Sequence, residues 1–120
     1  MWRVDFTIDD AGTSLVEEVE LAPAFLVSRF GPPMRGDGYR VTGRYLFSDG
    51  VGGLFTVYDY KSTSSYFGDD EGALEPEEFW ESDDDQEFSV GGHGDYLDGS
   101  AMSFVAWLLD EQTKWISNRN

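Results

Sequence analysis

The chain has 120 residues, 24 acidic and 8 basic side chains, a net charge of -16, one histidine and no cysteine. This length predicts a single domain over residues 1–120, and 9 Phe, 6 Tyr and 4 Trp residues supply enough apolar surface for a core. The absence of cysteine excludes disulfides, cysteine-ligated zinc and thiol catalysis, and the charge disfavours binding to bare nucleic acid or anionic lipid.

The N-terminal part of the chain predicts two short elements and a third of ambiguous type. Apolar and polar residues alternate over residues 2–8, which is the period of a half-buried strand, and the segment from Asp9 to Gly12 is typical of a turn. Residues 16–21 fit either a strand or a helix. Pro23 and Gly31 bracket an apolar stretch, which predicts a two-turn helix over residues 24–30.

The clearest pattern in the sequence is a β-hairpin near the middle of the chain. A turn signal from Arg35 to Gly38 precedes two segments, residues 39–47 and 54–60, that are rich in aromatic and β-branched side chains. A glycine-rich turn separates them. Because apolar side chains fall on both faces of both segments, we expect the hairpin to lie centrally in a sheet, with a helix covering one side.

The C-terminal part predicts a short helix, a short strand and a long helix. Glu75 and Pro76 begin a helix that runs to Glu81, and residues 87–90 form a strand stopped by a pair of glycines. Residues 100–116 have helical spacing of their apolar positions, which include Leu109 and Ile116. The order of elements predicts an α+β fold with a mainly antiparallel sheet, a central hairpin, a short N-terminal helix and a C-terminal amphipathic helix.

The negative charge is concentrated in one half of the chain. Residues 62–113 hold fifteen acids and no Lys or Arg, whereas the other 68 residues have a net charge of only -1. Aromatic residues interleaved with the acids favour an ordered segment with anchors for a partner. The predicted partner-binding residues are Asp69, Asp70, Glu71, Glu75, Glu77, Glu78, Phe79, Trp80, Glu81, Asp83, Asp84, Asp85 and Glu87.

The sequence gives little support for catalysis or for a bound cofactor. His93 is the single imidazole and lies in a glycine-rich turn with Asp95 nearby, where a structural role is the more common one. The acidic runs lack the ligand spacing of an EF-hand loop, and no glycine-rich segment has the form of a phosphate-binding loop. We therefore predict a protein that is not an enzyme and has no metal or cofactor, with a small enzyme that uses His93 as the alternative.

A segregated array of carboxylates can imitate the charge of nucleic acid. Proteins that bind duplex DNA hold clefts rich in Lys and Arg, because the duplex carries one charge per about 1.7 Å of its axis. In size, charge and charge segregation the chain resembles the small acidic anti-CRISPR and anti-restriction DNA mimics with which phages block host defence nucleases. The segments 30–32, 36–39, 56–61 and 90–93 also resemble a pattern in uncharacterised phage and virus proteins.

The resemblance implies an inhibitor of a basic nuclease complex, acting in the cytoplasm of a host cell. The longest apolar run is residues 104–109, too short to span a membrane, and the N-terminus lacks the apolar stretch of a signal peptide. An immunity protein that neutralises a basic nuclease toxin fits the same physical pattern. Adaptation to a salt-rich cytoplasm is a further interpretation, but it predicts an even coat of acids rather than one acidic half.

Overall fold

The computed structural model describes residues 2–38, 40–60, 63, 74–93 and 100–119. In chain order the elements are β1 (Arg3–Val4), β2 (Ser14–Leu21), α1 (Pro23–Phe30), β3 (Met34–Arg35), β4 (Gly43–Ser48), β5 (Leu54–Tyr58), α2 (Pro76–Glu81), β6 (Gln86–Gly92) and α3 (Ser100–Arg119). All strand pairs in the sheet are antiparallel. The predicted α+β class is therefore confirmed.

The sheet has the order β1–β4–β5–β6–β2, and β3 pairs with the same edge of β4 as β1 does. The predicted hairpin is β4 and β5, and it lies at the centre of the sheet, as expected. The ambiguous segment is the strand β2, which pairs with β6 along most of its length. Tertiary pairing thus decides what the local pattern left open.

One face of the sheet carries the main core and the helices. Phe104 of α3 stacks on Phe55 of β5 with ring centroids 4.8 Å apart, and Phe30 of α1 meets Phe47 of β4 edge to face at 5.0 Å. Complete burial of such side chains contributes about 1.5–3 kcal/mol each. The fully buried aromatic residues are Phe25, Tyr45, Phe47, Phe79, Phe88 and Phe104.

The other face of the sheet is crossed by the loop between β1 and β2. Because β1 and β2 lie at opposite edges of the sheet, the connection between them has to cross it. Asp10 in this connection forms an ion pair with Arg44 of β4 at 2.7 Å. Leu46 and Thr56, which are opposite each other in β4 and β5, point to this face and are buried.

Two strands begin or end where polar side chains bond to the backbone, and the predicted limits were wrong there. The strand predicted to reach Ile8 ends at Val4, because the carboxylate of Asp5 accepts the amide of Thr7 at 3.0 Å and turns the chain. Likewise β4 begins only at Gly43, because the carboxylate of Asp37 accepts two amides in the preceding turn at 2.9 Å each.

Gly91 and Gly92 belong to β6, which ends at Gly92, whereas the prediction ended the strand at Val90. A Cβ atom at Gly91 would lie 2.6 Å from the hydroxyl oxygen of Thr56, and one at Gly92 would lie 2.9 Å from the ring of Phe55. Glycine is therefore required by close packing within the strand.

Helix α3 matches the prediction in position but runs further, to Arg119. Phe104 and Leu108 are buried, as expected, whereas Leu109 and Ile116 are 41% and 48% exposed. The apolar stripe is thus wider than the core it covers. None of the described helices is long and apolar enough to cross a membrane.

Candidate partner-binding surface

Helix α2 holds the first group of predicted acids outward and its aromatic residues inward. Pro76 occupies the first turn, where a missing amide proton costs nothing, and Glu77 and Glu78 suit the positive end of the helix dipole. These two acids and Glu81 are exposed. The helix is short, so its place depends on the aromatic residues that it packs against the core.

Phe79 is fully buried, and its prediction as a partner-binding anchor is wrong. Its ring packs against Trp80 at 5.3 Å and against Phe88 of β6 at 5.7 Å. Trp80 is only partly buried, and it lies so close to the backbone of Gly43 that a Cβ there would be 2.6 Å from its ring. Both aromatic residues therefore fix α2 to the sheet.

The acids that follow α2 are held in an ordered connection to β6. The carbonyl of Ser82 accepts the amide of Ala24 at 3.0 Å, and the Ser82 hydroxyl accepts the amide of Asp84 at 3.1 Å. Asp83 forms an ion pair with Arg119 of α3 at 2.9 Å, and Asp84 and Asp85 are exposed. Backbone bonds thus fix the path of this segment, which rules out a freely extended acidic linker here.

Strand β2 adds acids that were not predicted from the sequence. Glu20 is directly opposite Glu87 in the β2–β6 ladder, and Glu18 is opposite Ser89. Val19 and Leu21, which alternate with these acids, are buried, so Glu18 and Glu20 point to the other face of the sheet. The alternation was visible in the sequence, but only the strand pairing shows that these acids join Glu87.

We call the following exposed carboxylates the acidic surface, which has two parts. Glu18, Glu20 and Glu87 project from the sheet face opposite the core. The other members lie on α2, which packs on the core face, and on the segments next to it: Glu75, Glu77, Glu78, Glu81, Asp83, Asp84 and Asp85. All ten are exposed. Within the described part of the chain, Asp83 is the member that forms an ion pair. The surface therefore keeps most of its negative charge. The predicted site residues Asp69, Asp70 and Glu71 lie outside the described residues.

At the opposite edge of the sheet, arginines are accompanied by aspartates, which are Asp5, Asp10 and Asp37. Arg3, Arg35 and Arg44 belong to β1, β3 and β4, whereas Glu20 and Glu87 belong to β2 and β6. The sheet thus groups acids from both parts of the sequence, because Glu20 lies outside residues 62–113 and Glu87 lies within them. Such an arrangement produces a field that orients an approaching charged partner.

Asp59, which the sequence analysis did not single out, is a fully buried carboxylate. Its Oδ1 accepts the amides of Thr42 and Gly43 at 2.9 Å each, and its Oδ2 accepts the hydroxyl of Thr42 at 2.7 Å. Burial raises the pKa of Asp59, and these hydrogen bonds oppose that effect. With its oxygens occupied inside the protein, Asp59 has a structural role.

An open cavity of about 480 Å³ lies over the sheet face that carries Arg44, Thr56 and Tyr58. Arg35 and Asp37 also line it, and Asp10 occupies one side of Arg44 through the ion pair. Burial raises the pKa of the Tyr58 phenol above its ordinary value of 10.0. The cavity therefore has mixed charge, and it does not concentrate the positive charge that a phosphate group requires.

His93 is exposed, and its predicted neighbour Asp95 lies outside the described residues. Its ring lies beside Gly12, where a Cβ would be 3.5 Å away. The described residues contain no group of three or more His, Asp or Glu side chains placed to hold a metal ion. Of the features on the described surface, the acidic array is the most developed.

Comparison with known proteins does not assign the chain to a family. No protein-family model matches the chain, and no curated protein is significantly similar to it. The functional argument therefore depends on the geometry and charge of the acidic surface.

Proposed function

We propose that the chain is an inhibitor whose acidic surface occupies the nucleic-acid-binding cleft of a basic partner, as a DNA mimic. The partner class that fits best is a host defence nuclease complex, which would place the protein in the cytoplasm. The observation that carries the proposal is the direct pairing of Glu20 with Glu87 on two ordered strands. The acids of α2 and of the following connection continue this array along the chain.

This pairing works against the stability of the protein. Side chains directly opposite in an antiparallel ladder have Cβ atoms about 4.5–5.5 Å apart, and like charges there are destabilising. Solubility alone does not require such a pair, because a Lys opposite Glu20 would be as soluble and would stabilise the ladder. A binding role accounts for carboxylates that are held together at a cost to folding.

A basic cleft would bind this array by the mechanism with which it binds DNA. Each carboxylate that meets a Lys or Arg releases counterions, so the affinity falls as salt rises. Complementary fields also accelerate the encounter of the two proteins. An immunity protein against a basic nuclease toxin would use the same surface and the same physics, and the identity of the captured partner separates the two cases.

The difference in charged side chains between the two edges of the sheet favours a binding surface over salt adaptation. A protein adapted to high salt gains from unpaired acids on all sides, whereas here the arginine edge also carries aspartates such as Asp10, which is paired with Arg44, and the glutamates Glu20 and Glu87 lie at the other edge. Thermal melting in dilute buffer and in molar salt tests this directly. We expect a folded protein in dilute buffer, and a requirement for molar salt would favour the alternative.

Two variants of equal net charge test the proposal by affinity capture. The variant E20Q/E87Q removes the central pair, and D9N/D110N removes two exposed acids outside the acidic surface. Each immobilised protein is exposed to a bacterial lysate and washed at about 50 mM salt. One sample is then eluted at about 200 mM salt, since phosphate-like contacts lose most of their affinity over this range. Captured proteins in the other sample are challenged with duplex DNA.

We expect the wild type and D9N/D110N to capture a nucleic-acid-binding protein that salt and duplex DNA both release. We expect E20Q/E87Q to capture much less of it. Retention of the captured protein in the presence of excess duplex DNA, or equal capture by all three proteins, would contradict the proposal.

A further inference from the structure

The two edges of the sheet differ in how they are covered. Strands β1 and β3 both pair with β4, and between them the amide of Asp5 donates to the carbonyl of Leu46 at 2.8 Å. That edge is therefore occupied at both ends and in its middle. At the opposite edge, no described strand pairs with the outer side of β2. An uncovered edge strand is a template for pairing with another chain.

The amides at this edge show which part of it is available. In an antiparallel edge strand, alternate residues bond to the neighbouring strand and the others point outward. The amide of Glu18 donates to the Glu17 carboxylate at 3.1 Å, and the amide of Ala22 donates to the Gln112 side chain at 2.7 Å. Neither of these amides bonds to β6. The amides of the even-numbered residues of β2 therefore lie on the outer side of the strand, away from β6.

Glu20 lies between these two positions, so its amide also points outward. Among the described residues it has no hydrogen-bond acceptor. The Glu17 side chain that covers the amide of Glu18 is exposed, and it can leave without disturbing the core. Residues 17–21 therefore present an edge that is ready to accept another strand.

The two sides of this edge differ in chemistry. On one side, Glu18 and Glu20 project with Glu87 beside them. On the other side lie the exposed Glu17 and, beyond it, α3, which contacts β2 and has Leu109 and Ile116 exposed.

The exposed flank of α3 faces away from α1. Its opposite flank carries Trp107 and Glu111, which contact Phe30 and Arg29 of α1. By helical periodicity, Leu109 and Ile116 fall on the other flank. The open edge of β2 thus runs between an acidic row and an apolar row.

We propose that the outer edge of β2 binds an extended segment of the partner in which basic and apolar residues alternate. This inference rests on the proposed function, because it specifies how the cationic partner docks. Alternating side chains of an added strand face opposite sides, so its basic residues meet Glu18 and Glu20 while its apolar residues lie along Leu109. A second copy of β2 fits poorly, since its own acids would face Glu18 and Glu20.

Two blocked peptides of equal composition test this inference. One alternates three lysines with three valines, and the other has the three lysines followed by the three valines, so charge and apolar content are matched. Binding to the wild type is measured by titration, and hydrogen exchange of the Glu20 amide is followed by NMR. We expect the alternating peptide to bind about tenfold more tightly and to slow exchange at Glu20 about tenfold, the scale of one hydrogen bond.

Variants at one position separate the backbone contribution from the charge. E20P removes the outward amide proton, and an edge strand tolerates proline where its amide faces solvent. E20Q keeps the amide and removes the charge. We expect E20P to lose the preference for the alternating peptide and E20Q to retain it, and the exchange measurement on the wild type decides the question if E20P does not fold.

Equal binding of the two peptides with unchanged exchange at Glu20 would overturn strand addition. The proposed function would survive that result, because charge alone would then account for binding to a basic partner. Absence of binding by either peptide would also overturn the inference, and protection of Glu20 by dimerisation without peptide would assign the edge to a second copy. Failure of the proposed function itself is recognised separately, by captured protein that duplex DNA does not release.

Discussion

The indole nitrogen of Trp80 donates a hydrogen bond to the hydroxyl of Thr42 at 3.0 Å. The single proton of that hydroxyl is donated to the carboxylate of Asp59 at 2.7 Å, so the oxygen is free to accept from the indole. The three residues join α2, the segment before β4 and the end of β5. Because α2 carries Glu77, Glu78 and Glu81, these two hydrogen bonds fix part of the acidic surface relative to the sheet.

Replacement of the Thr42 hydroxyl should destabilise the protein. In T42V the indole of Trp80 loses its acceptor and the carboxylate of Asp59 loses one donor. We expect the free energy of unfolding to fall by about 1–3 kcal/mol, the cost of unsatisfied buried polar groups. Urea unfolding followed by tryptophan fluorescence measures this, with T42S expected to restore most of the loss.

The exposed hydroxyl of Thr113 supplies the control, because it bonds only to the Leu109 carbonyl of its own helix among the described residues. T113V should change stability by less than about 0.5 kcal/mol. Equal losses in the free energy of unfolding of T42V and T113V would show that the hydrogen bonds of Thr42 to Trp80 and Asp59 do not stabilise the protein.

Asp59 should make stability depend on pH. Its pKa is raised by burial above the ordinary value of 3.8, so the folded state binds a proton more tightly than the unfolded state does. Its contribution is therefore fully present below pH 3.8 and is lost as the pH rises through the raised pKa. D59N cannot titrate, and the stability of the wild type relative to D59N should fall as the pH rises.

Urea unfolding of both proteins between about pH 4 and about pH 7 tests this linkage. The comparison removes the effect of the other acids, which both proteins share. A stability difference that is constant with pH would show that Asp59 does not titrate differently in the folded protein.

Removal of one acid from the central pair should stabilise the fold. In E87Q the charge opposite Glu20 is lost, and we expect a gain of about 0.2–1 kcal/mol at low salt. The gain should shrink as salt screens the repulsion. The control D9N, at an exposed acid outside the acidic surface, should give a smaller gain in the free energy of unfolding. A lower stability of E87Q would show that the two glutamates do not repel each other.

Phe79 should behave as a core residue and Glu78 as a surface residue. F79A leaves a cavity among Trp80 and Phe88, and we expect a loss of about 3–5 kcal/mol in the free energy of unfolding. E78Q should stay within about 0.5 kcal/mol of the wild type. A mild effect of F79A would indicate that Phe79 is available to a partner after all.

Local signals in the sequence were sufficient for several elements and insufficient for the site. Pro23 and Gly31 bracket α1 as expected, because proline and glycine act on the backbone next to them. Two segments rich in aromatic and β-branched residues around a glycine-rich turn likewise located the central hairpin. The shortened β1 and β4 show the limit of such patterns, since Asp5 and Asp37 bond to neighbouring amides and turn the chain earlier.

Of the acidic surface, only Glu18 and Glu20 were not predicted, because strand pairing is not local. Glu20 and Glu87 lie far apart in the sequence, and nothing near either residue specifies that they are opposite each other. The burial of Phe79 has the same origin, because its acidic neighbours suggested exposure and only packing against Phe88 shows otherwise. Charge composition indicated the kind of surface, and tertiary structure determined its members.

The most direct test of the account measures affinity for the captured partner as a function of salt. For wild type and D9N/D110N, we expect log Kd to rise steeply and in parallel with log salt concentration, as for displacement of counterions. For E20Q/E87Q we expect weaker binding and a shallower slope. Equal slopes and affinities for the two double variants would contradict a binding surface centred on Glu20 and Glu87.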